Sequence, residues 1–431
     1  MLHAALLIDS ATVSASGGET FERMDPVSHE ISTRASAANV EDAERAANAA
    51  ARAFPAWSQT PPSERRALLN DAADILQRRT GDFVEAMIAE TGATAAWGQF
   101  NCRLAANILR EAGAMASQVT GEVIPADKPG SFAMAVRQAC GVVFSMAPWN
   151  APVVLSTRSV AMPLACGNTV VMKGSELCPR THGLLGEVLN EAGLPKGTVN
   201  VIHSSPEKAP DIVEALIAHP AIRRVNFTGS TRVGRMIAEK AARHLKRCLL
   251  ELGGKAPLIV LDDADIDAAV DAAVFGAFFN QGQICMSTER IVVEESVETR
   301  ASVEAMWRAL TTHEDMPKWF GPVRRVVLDP PGRDERNGLG AIRHIHALGP
   351  AVVEEVVEWD PPHRYVYKLL RGAPIRKHRG EVRVEETPRG ARASWRIEFA
   401  PVIPLSGLVL RPVMVRIARS LLEGAAAYAE G

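Results

Sequence analysis

The chain has 431 residues, 47% of them hydrophobic and 23% charged, with a formal net charge of −2. That is too long for one ordinary domain and too apolar for a disordered chain, so two or three packed domains are expected. Near-zero charge argues against a dedicated nucleic-acid binder and against a polybasic membrane binder.

Residue types are unevenly spread. All six cysteines lie before position 286, and the tyrosines Tyr365, Tyr367 and Tyr428 all lie after position 364. From residue 300 onward, 21 basic residues stand against 16 acidic ones, and only Lys318, Lys368 and Lys377 of the basic set are lysines. Two sequence styles therefore join near residue 300. Met1 to Ser10 has no basic stretch and only a short apolar run, Ala4 to Ile8, so no signal peptide is expected. The longest apolar candidate for a membrane span, Pro401 to Ile417, is broken by Pro404, Arg411 and Pro412. The cysteines form no CxxC pair and no cluster with histidines, so no metal site and a reduced, cytoplasmic chain are expected.

Taken in chain order, residues 1–35 alternate polar and apolar around Ser16-Gly17-Gly18, which predicts a hairpin. Asn39 caps a helix with Asp42 three residues on and a stripe of Ala43, Ala47, Ala50 and Phe54. A second helix starts near Pro61-Pro62, with Leu68, Leu69, Ala72, Ile75 and Leu76 on one face. Thr80 caps a third that ends near Gly92, and Gly121 to Cys140 forms two extended strands around Lys128-Pro129-Gly130. Short apolar runs then alternate with helical patterns. The runs are 141–147, 169–173, 199–203, 224–228 and 258–261; the helices are 181–192, 210–218, 232–244 and 265–279. This rhythm predicts a parallel sheet covered on both faces. After Glu289 a helix over 301–310 is followed by strands at 341–346, 352–359, 365–369, 380–384 and 393–399, then a final helix over about 405–429. The run Arg376-Lys377-His378-Arg379 is expected in a solvated turn.

Four segments carry chemistry: Ala147-Pro148-Trp149-Asn150; Lys173-Gly174-Ser175-Glu176; Phe227-Thr228-Gly229-Ser230 with Glu251-Leu252-Gly253-Gly254-Lys255; and Gly282-Gln283-Ile284-Cys285. In this order and spacing they closely resemble the aldehyde dehydrogenase superfamily, nearest its branch acting on aromatic aldehydes, over roughly residues 1–295. The resemblance implies a doubly wound α/β dinucleotide-binding domain over residues 1–255, followed by a remnant of the catalytic domain over 256–295. It implies a cysteine nucleophile at Cys285 and an oxyanion held by the Asn150 amide and the Cys285 N–H. Glu251 would be the base that activates water. It implies a cofactor site made of Met146, Pro148, Trp149, Lys173, Ser175, Glu176, Phe227, Thr228, Gly229, Ser230, Val233, Leu252 and Gly253. Pyrophosphate would sit at the N-terminus of the helix after Ser230. A carboxylate at Glu176 favours NAD and repels the 2′-phosphate of NADP. For Cys102, Cys140, Cys166, Cys178 and Cys248 the expectation is a small buried residue.

Two departures from the family pattern stand out. The loop after Val201-Ile202 reads His203-Ser204-Ser205-Pro206, where the family often has glycines. The family also continues well past the cysteine, with a nicotinamide-positioning glutamate and an oligomerisation strand. Phe320-Gly321-Pro322-Val323 lacks the glutamate and reads as coincidence, and a homo-oligomer would have to form without that strand.

The tail resembles a different family, the START-like polyketide cyclase/dehydrase superfamily, through segments such as Ala301–Trp307, His313–Trp319, Arg336–Gly340 and Glu355–Trp359. That resemblance implies an α+β helix-grip domain over 296–431. Its curved sheet would wrap a long helix around a site for a hydrophobic or aromatic ligand. Trp307, Trp319, Tyr365, Tyr367 and Trp395 are candidates for its lining, although most of them read better as plain core. His344 and His346 share one strand face and read as polar surface rather than metal ligands. The seam falls at about Ile291 to Thr299, where both families place a strand, so that one strand serves both readings.

Overall fold

The computed structural model describes residues 1–261, 263–347, 349–373, 375–401 and 407–431. The chain divides into two compact units, Met1–Gly253 and Gly254–Gly431.

The first unit is built on a seven-stranded sheet. Its order is Arg247–Glu251, Ile222–Thr228, Val142–Met146, Thr169–Lys173, Val199–Ile202, Leu6–Ile8 and Ala11–Val13. The first five strands run parallel, and the last two are an antiparallel addition. Strands Val142–Met146, Thr169–Lys173 and Val199–Ile202 are buried at every position. This is the mark of a sheet covered on both faces, as the unbroken apolar runs predict. The helix Val40–Gln59 opens on a reciprocal cap: the Asp42 N–H donates to Asn39 Oδ1 at 3.0 Å, and the Asn39 N–H donates to Asp42 Oδ2 at 3.2 Å. Its buried Ala43, Ala46, Ala47 and Ala50 pack on the sheet beside Phe144, Val171 and Ile202.

Several expectations are corrected here. The N-terminal segment forms two hairpins, neither turning at Ser16-Gly17-Gly18. One turns at Asp9-Ser10, both at positive φ (56° and 63°), the geometry of a two-residue turn matched to strand twist. The other joins Thr20–Met24 to Ile31–Ser36, its turn fixed by Asp25 Oδ1 accepting from the N–H of Val27 and Ser28. Thr80 starts the helix Thr80–Thr91 rather than capping it, and its hydroxyl donates to the Gln77 carbonyl. Two helices carried no clear pattern. Ala95–Met115 contains Gly98, where a Cβ would lie 2.9 Å from Val84 Cγ2, so the glycine serves helix packing. Pro152–Ala165 is buried on nearly all sides and so has no amphipathic stripe to read. Cys140 and Cys166 are exposed and Cys248 is half-buried, against the expectation of buried thiols.

The second unit contains an eight-stranded sheet. Its order is Ala256–Val260, Thr288–Thr299, Gly390–Pro401, Ile375–Thr387, Arg364–Arg371, Val352–Asp360, Ile342–His346 and Arg325–Leu328. Only the first pair is parallel. The helix Val303–Thr311, capped by Ser302, and the helix Gly407–Glu430 pack on one face. There Met306, Leu310, Leu422 and Ala425 meet Trp395 and Phe399 in one core. Leu405, the expected start of the last helix, lies outside the described residues. The basic run Arg376–Arg379 is no turn: it is a bulge inside the strand Ile375–Thr387. The bulge, with Lys377 at φ 53°, turns His378 inward against Tyr367.

Candidate functional site

In the first unit the residues singled out for cofactor binding gather along one edge of the sheet. Strand register aligns Ile202 with Lys173, Lys173 with Met146, Met146 with Phe227, and Thr228 with Glu251. This is the carboxyl edge, where open α/β sheets bind ligands. Phe227 curls over Gly229: a Cβ there would lie 2.4 Å from the ring. Ser230 then caps the helix Thr231–Arg243, its hydroxyl accepting from the Val233 N–H at 3.4 Å. Ser230, Thr231 and Arg232 are exposed, so the first-turn N–H groups without intrahelical partners face solvent. Leu252 fills the space that Gly234 leaves, where a Cβ would lie 2.4 Å from Leu252 Cδ2. Gly253 has φ 76° and donates to Glu251 Oε1 at 3.0 Å, so the carboxylate folds over its own turn. Pro148, Trp149 and Asn150 are half-buried in the bend before the helix Pro152–Ala165, and the Asn150 carbonyl accepts from Trp97 Nε1 at 3.0 Å. The Arg158 guanidinium, for which the sequence carried no signal, donates to Thr228 Oγ1 at 3.2 Å.

Lys173 is buried, its Nζ donating to the Gly174 carbonyl at 3.2 Å and lying 3.6 Å from the Glu176 carboxylate. Burial lowers its pKa, and Glu176 opposes that shift. Behind this turn lie two fully buried histidines. His182 Nδ1 accepts from the Ser175 N–H at 3.0 Å. His203 has no hydrogen-bond partner on either ring nitrogen. A Cβ on Gly174 would lie 2.6 Å from His203 Nδ1. Gly174 and the histidine after Val201-Ile202 are thus complementary: Gly174 leaves the room that His203 occupies. A dinucleotide fits this edge, with a capped helix terminus for pyrophosphate and a buried lysine beside a half-buried glutamate for ribose hydroxyls.

Burial, with Lys173 nearby, depresses the His182 pKa from 6.5 to about 4; burial, then His182 and Lys173, depresses His203 to about 3. Between these values and 6.5 the unfolded chain binds more protons than the folded one, so stability rises with pH in that window. Stability, and with it the melting temperature, is expected to fall as pH drops below about 6.5, the unfolding free energy by up to about 1.4 kcal/mol per pH unit for each histidine. His203→Leu should flatten that slope in thermal melts at pH 4.5–7. An unchanged slope would contradict the assignment.

Cys285 belongs to the second unit. It is exposed, in the turn between the helix Ile266–Phe278 and the strand Thr288–Thr299. Asn280, Gln281 and Gly282 are all left-handed, at φ 49°, 55° and 74°. The turn is closed by the Gln283 N–H donating to the Asn280 carbonyl at 2.9 Å and the Ser287 N–H to the Ile284 carbonyl at 3.1 Å. Gly276 lets the helix touch the strand, since a Cβ there would lie 2.3 Å from Thr288 Oγ1.

The helix-grip interior is occupied by aromatic core. Trp307, Tyr365, Tyr367 and Trp395 are buried in one cluster, with Trp319 partly buried against it. Trp395 Nε1 donates to the Tyr367 hydroxyl at 2.9 Å. Within it lies a charged group that the sequence did not flag. Arg343 is 1% exposed; its Nε donates to Glu354 Oε2 at 2.7 Å, Nη1 lies 3.1 Å from His313 Nδ1, and Cζ stands 4.2 Å from the Tyr367 ring centroid. Burial opposes the guanidinium charge most strongly, but the Glu354 carboxylate together with Tyr365 and Tyr367 outweighs it and raises the Arg343 pKa. His344 and His346 follow Arg343 on the same strand and are half-buried. Among the described residues, no group of three His, Cys, Asp or Glu side chains could hold a metal ion, and no helix is long and apolar enough to cross a membrane.

Comparison with known proteins places both parts. The profile of the aldehyde dehydrogenase family matches residues 12–323, and that of polyketide cyclase/dehydrase and lipid transport matches residues 290–430. The first match runs past the seam expected near 295 and overlaps the second over 290–323. The chain is 63% identical over 297 residues to a vanillin dehydrogenase of Pseudomonas fluorescens, covering 69% of this chain and 61% of that protein. It is similar to the crystal structure of a salicylaldehyde dehydrogenase from Pseudomonas putida G7 complexed with salicylaldehyde. That structure gives a TM-score of 0.67 at 55% identity, over 68% of this chain and 60% of the other. An NAD-dependent benzaldehyde dehydrogenase from Corynebacterium glutamicum gives 0.64 at 37%, over 67% and 63%. The chain therefore spans about three-fifths of the length of the relatives it matches. With the motif order, the carboxyl-edge site and the profile in agreement, the chain belongs to the aldehyde dehydrogenase family and carries a polyketide cyclase/dehydrase domain at its C-terminal end.

Proposed function

We propose that the chain oxidises an aromatic aldehyde to the carboxylic acid with NAD, through covalent intermediates on Cys285. The observation that carries this reading is an exposed thiol held in a closed left-handed turn, in a chain so similar to aromatic-aldehyde dehydrogenases. The Cys285 sulfur attacks the carbonyl carbon, and the Asn150 amide and the Cys285 N–H stabilise the oxyanion. NAD bound along the carboxyl edge would supply the acceptor for the hydride leaving that carbon, and the Cys285 sulfur would then carry a thioester. Glu251 takes a proton from water as the water attacks the thioester, and the acid leaves with the thiolate restored. Lys173 and Glu176 hold the adenosine ribose, and the Glu176 carboxylate disfavours a 2′-phosphate, so kcat/KM should be higher with NAD than with NADP.

The test is NADH formation, followed by absorbance, from vanillin, salicylaldehyde and benzaldehyde. A second reading is an NAD-binding chain with little turnover. It draws support from apolar surface in the cysteine-bearing unit, where Ile259, Phe275 and Met286 are 58%, 63% and 73% exposed. NAD binding without NADH formation from any of the three aldehydes would select it.

The Gly174–His203 fit also bears on the cofactor. Gly174→Ala is expected to weaken NAD binding about tenfold, roughly 1.4 kcal/mol, by pushing the Lys173–Glu176 turn outward. His203→Ala in the same chain should restore most of it. Tryptophan-fluorescence titration with NAD measures both, and equal affinities across the set would refute the coupling.

A further inference from the structure

We infer that the helix-grip domain holds the Cys285 turn in place through a strand that the two family regions share. The strand Thr288–Thr299 begins three residues after Cys285. On one side it pairs in parallel with Ala256–Val260, from Ala256↔Thr288 to Val260↔Val293. On the other it pairs antiparallel with Gly390–Pro401 over nine consecutive residues, from Ile291↔Phe399 to Thr299↔Ala391. Ile291, Val292 and Val293 are therefore flanked on both sides. Without Gly390–Pro401 they would form a sheet edge with unpaired backbone groups.

Side chains reinforce the pairing. Arg290 and Glu398 form an ion pair at 2.5 Å, and Arg392 Nη2 donates to Ser296 Oγ at 3.1 Å. Ile291 and Val293 are buried with Val260 beneath Ile266 and Ala269 of the preceding helix, while Val297 packs on the helix-grip core. One strand thus joins the small core under the cysteine's helix to the large core of the helix-grip domain. The turn between that helix and this strand contains two consecutive non-glycine residues in left-handed conformation. Such residues persist only where the flanking structure over-determines them. Here one flank is the helix, and the other is the strand anchored by Gly390–Pro401. Loosening the helix-grip sheet therefore loosens the cysteine's turn, although the cofactor residues lie in the other unit.

The test is amide hydrogen exchange, resolved by peptide mass, on the full-length chain with neither cofactor nor aldehyde added. Val382 is buried in the helix-grip core on a strand that does not touch Thr288–Thr299. Val382→Ala should speed exchange about tenfold in residues 375–401 and, in step, in residues 280–293. Faster exchange in 375–401 with residues 280–293 unchanged would overturn the proposal. Should Val382→Ala fail to fold, the partly exposed Glu398→Gln should speed exchange in 288–293, and Arg290→Glu with Glu398→Arg should restore it. No effect of Glu398→Gln, or no restoration by the exchanged pair, would equally overturn it. The consequence for turnover rests on the proposed function: Val382→Ala lowers kcat several-fold with the KM for NAD unchanged. A chain that makes no NADH defeats that reading and leaves the exchange result to decide the coupling.

Discussion

Replacing Cys285 by alanine is expected to reduce aldehyde-dependent NADH formation by at least about 10³-fold, as loss of a covalent nucleophile does. The physical reason is that hydride leaves a tetrahedral carbon far more readily than a planar carbonyl, and only the thiol makes that carbon tetrahedral. NAD affinity should be unchanged, because Lys173, Glu176 and the helix opening at Ser230 all lie in the first unit. Thermal stability should also hold, because Cys285 is exposed and donates no packing surface. Turnover in Cys285→Ala within tenfold of the unaltered chain would remove the nucleophile from this residue. Cys102 and Cys178 make poor substitutes: burial raises the Cys102 thiol to about 12 and pushes the Cys178 thiol well above its usual value.

The second large effect is on stability. Arg343→Met should destabilise the second unit by about 3–5 kcal/mol, since it leaves the Glu354 carboxylate buried without its guanidinium. At the usual entropy of unfolding this lowers the melting temperature by roughly 10 °C. The pair is not itself a large source of stability, because desolvating two charges offsets most of their attraction. Arg343→Met combined with Glu354→Leu should therefore recover to within about 1 kcal/mol of the unaltered chain, or exceed it. Urea unfolding of the singles and the double checks this. A single substitution that costs less than 1 kcal/mol would show that Glu354 finds another partner or protonates.

How much of this was legible in sequence differs by element. The buried strands Val142–Met146 and Thr169–Lys173 announced themselves as unbroken apolar runs between helical patterns. The Asn39–Asp42 cap and the glycine after Thr91 marked helix ends by chemistry that acts locally. Ala95–Met115 was obscured by Gly98, whose reason is a neighbour 14 residues earlier in the chain, the Val84 side chain. Pro152–Ala165 gave no stripe because tertiary contacts surround it. The basic run Arg376–Arg379 looked like solvent-facing charge, and only the bulge that turns His378 inward explains its place inside a strand. In the site, the segments proposed for cofactor binding were singled out by their resemblance to the family, and sheet register brings the strands that carry several of them to one edge. What spacing could not show was the match between Gly174 and His203, or the Arg343–Glu354–His313 group. These depend on residues far apart in the chain meeting in the interior. The change of style near residue 300 now has a physical counterpart: it falls at the end of the strand Thr288–Thr299, which belongs to both matched family regions.

The most direct test of the proposed chemistry is a single-turnover trap. The full-length chain is mixed with NAD and a limiting amount of vanillin, quenched in acid, and digested for peptide mass analysis. NADH formation together with an aroyl thioester on the peptide bearing Cys285 is the predicted result. NADH without any adduct on that peptide, or an adduct confined to another cysteine, would contradict it.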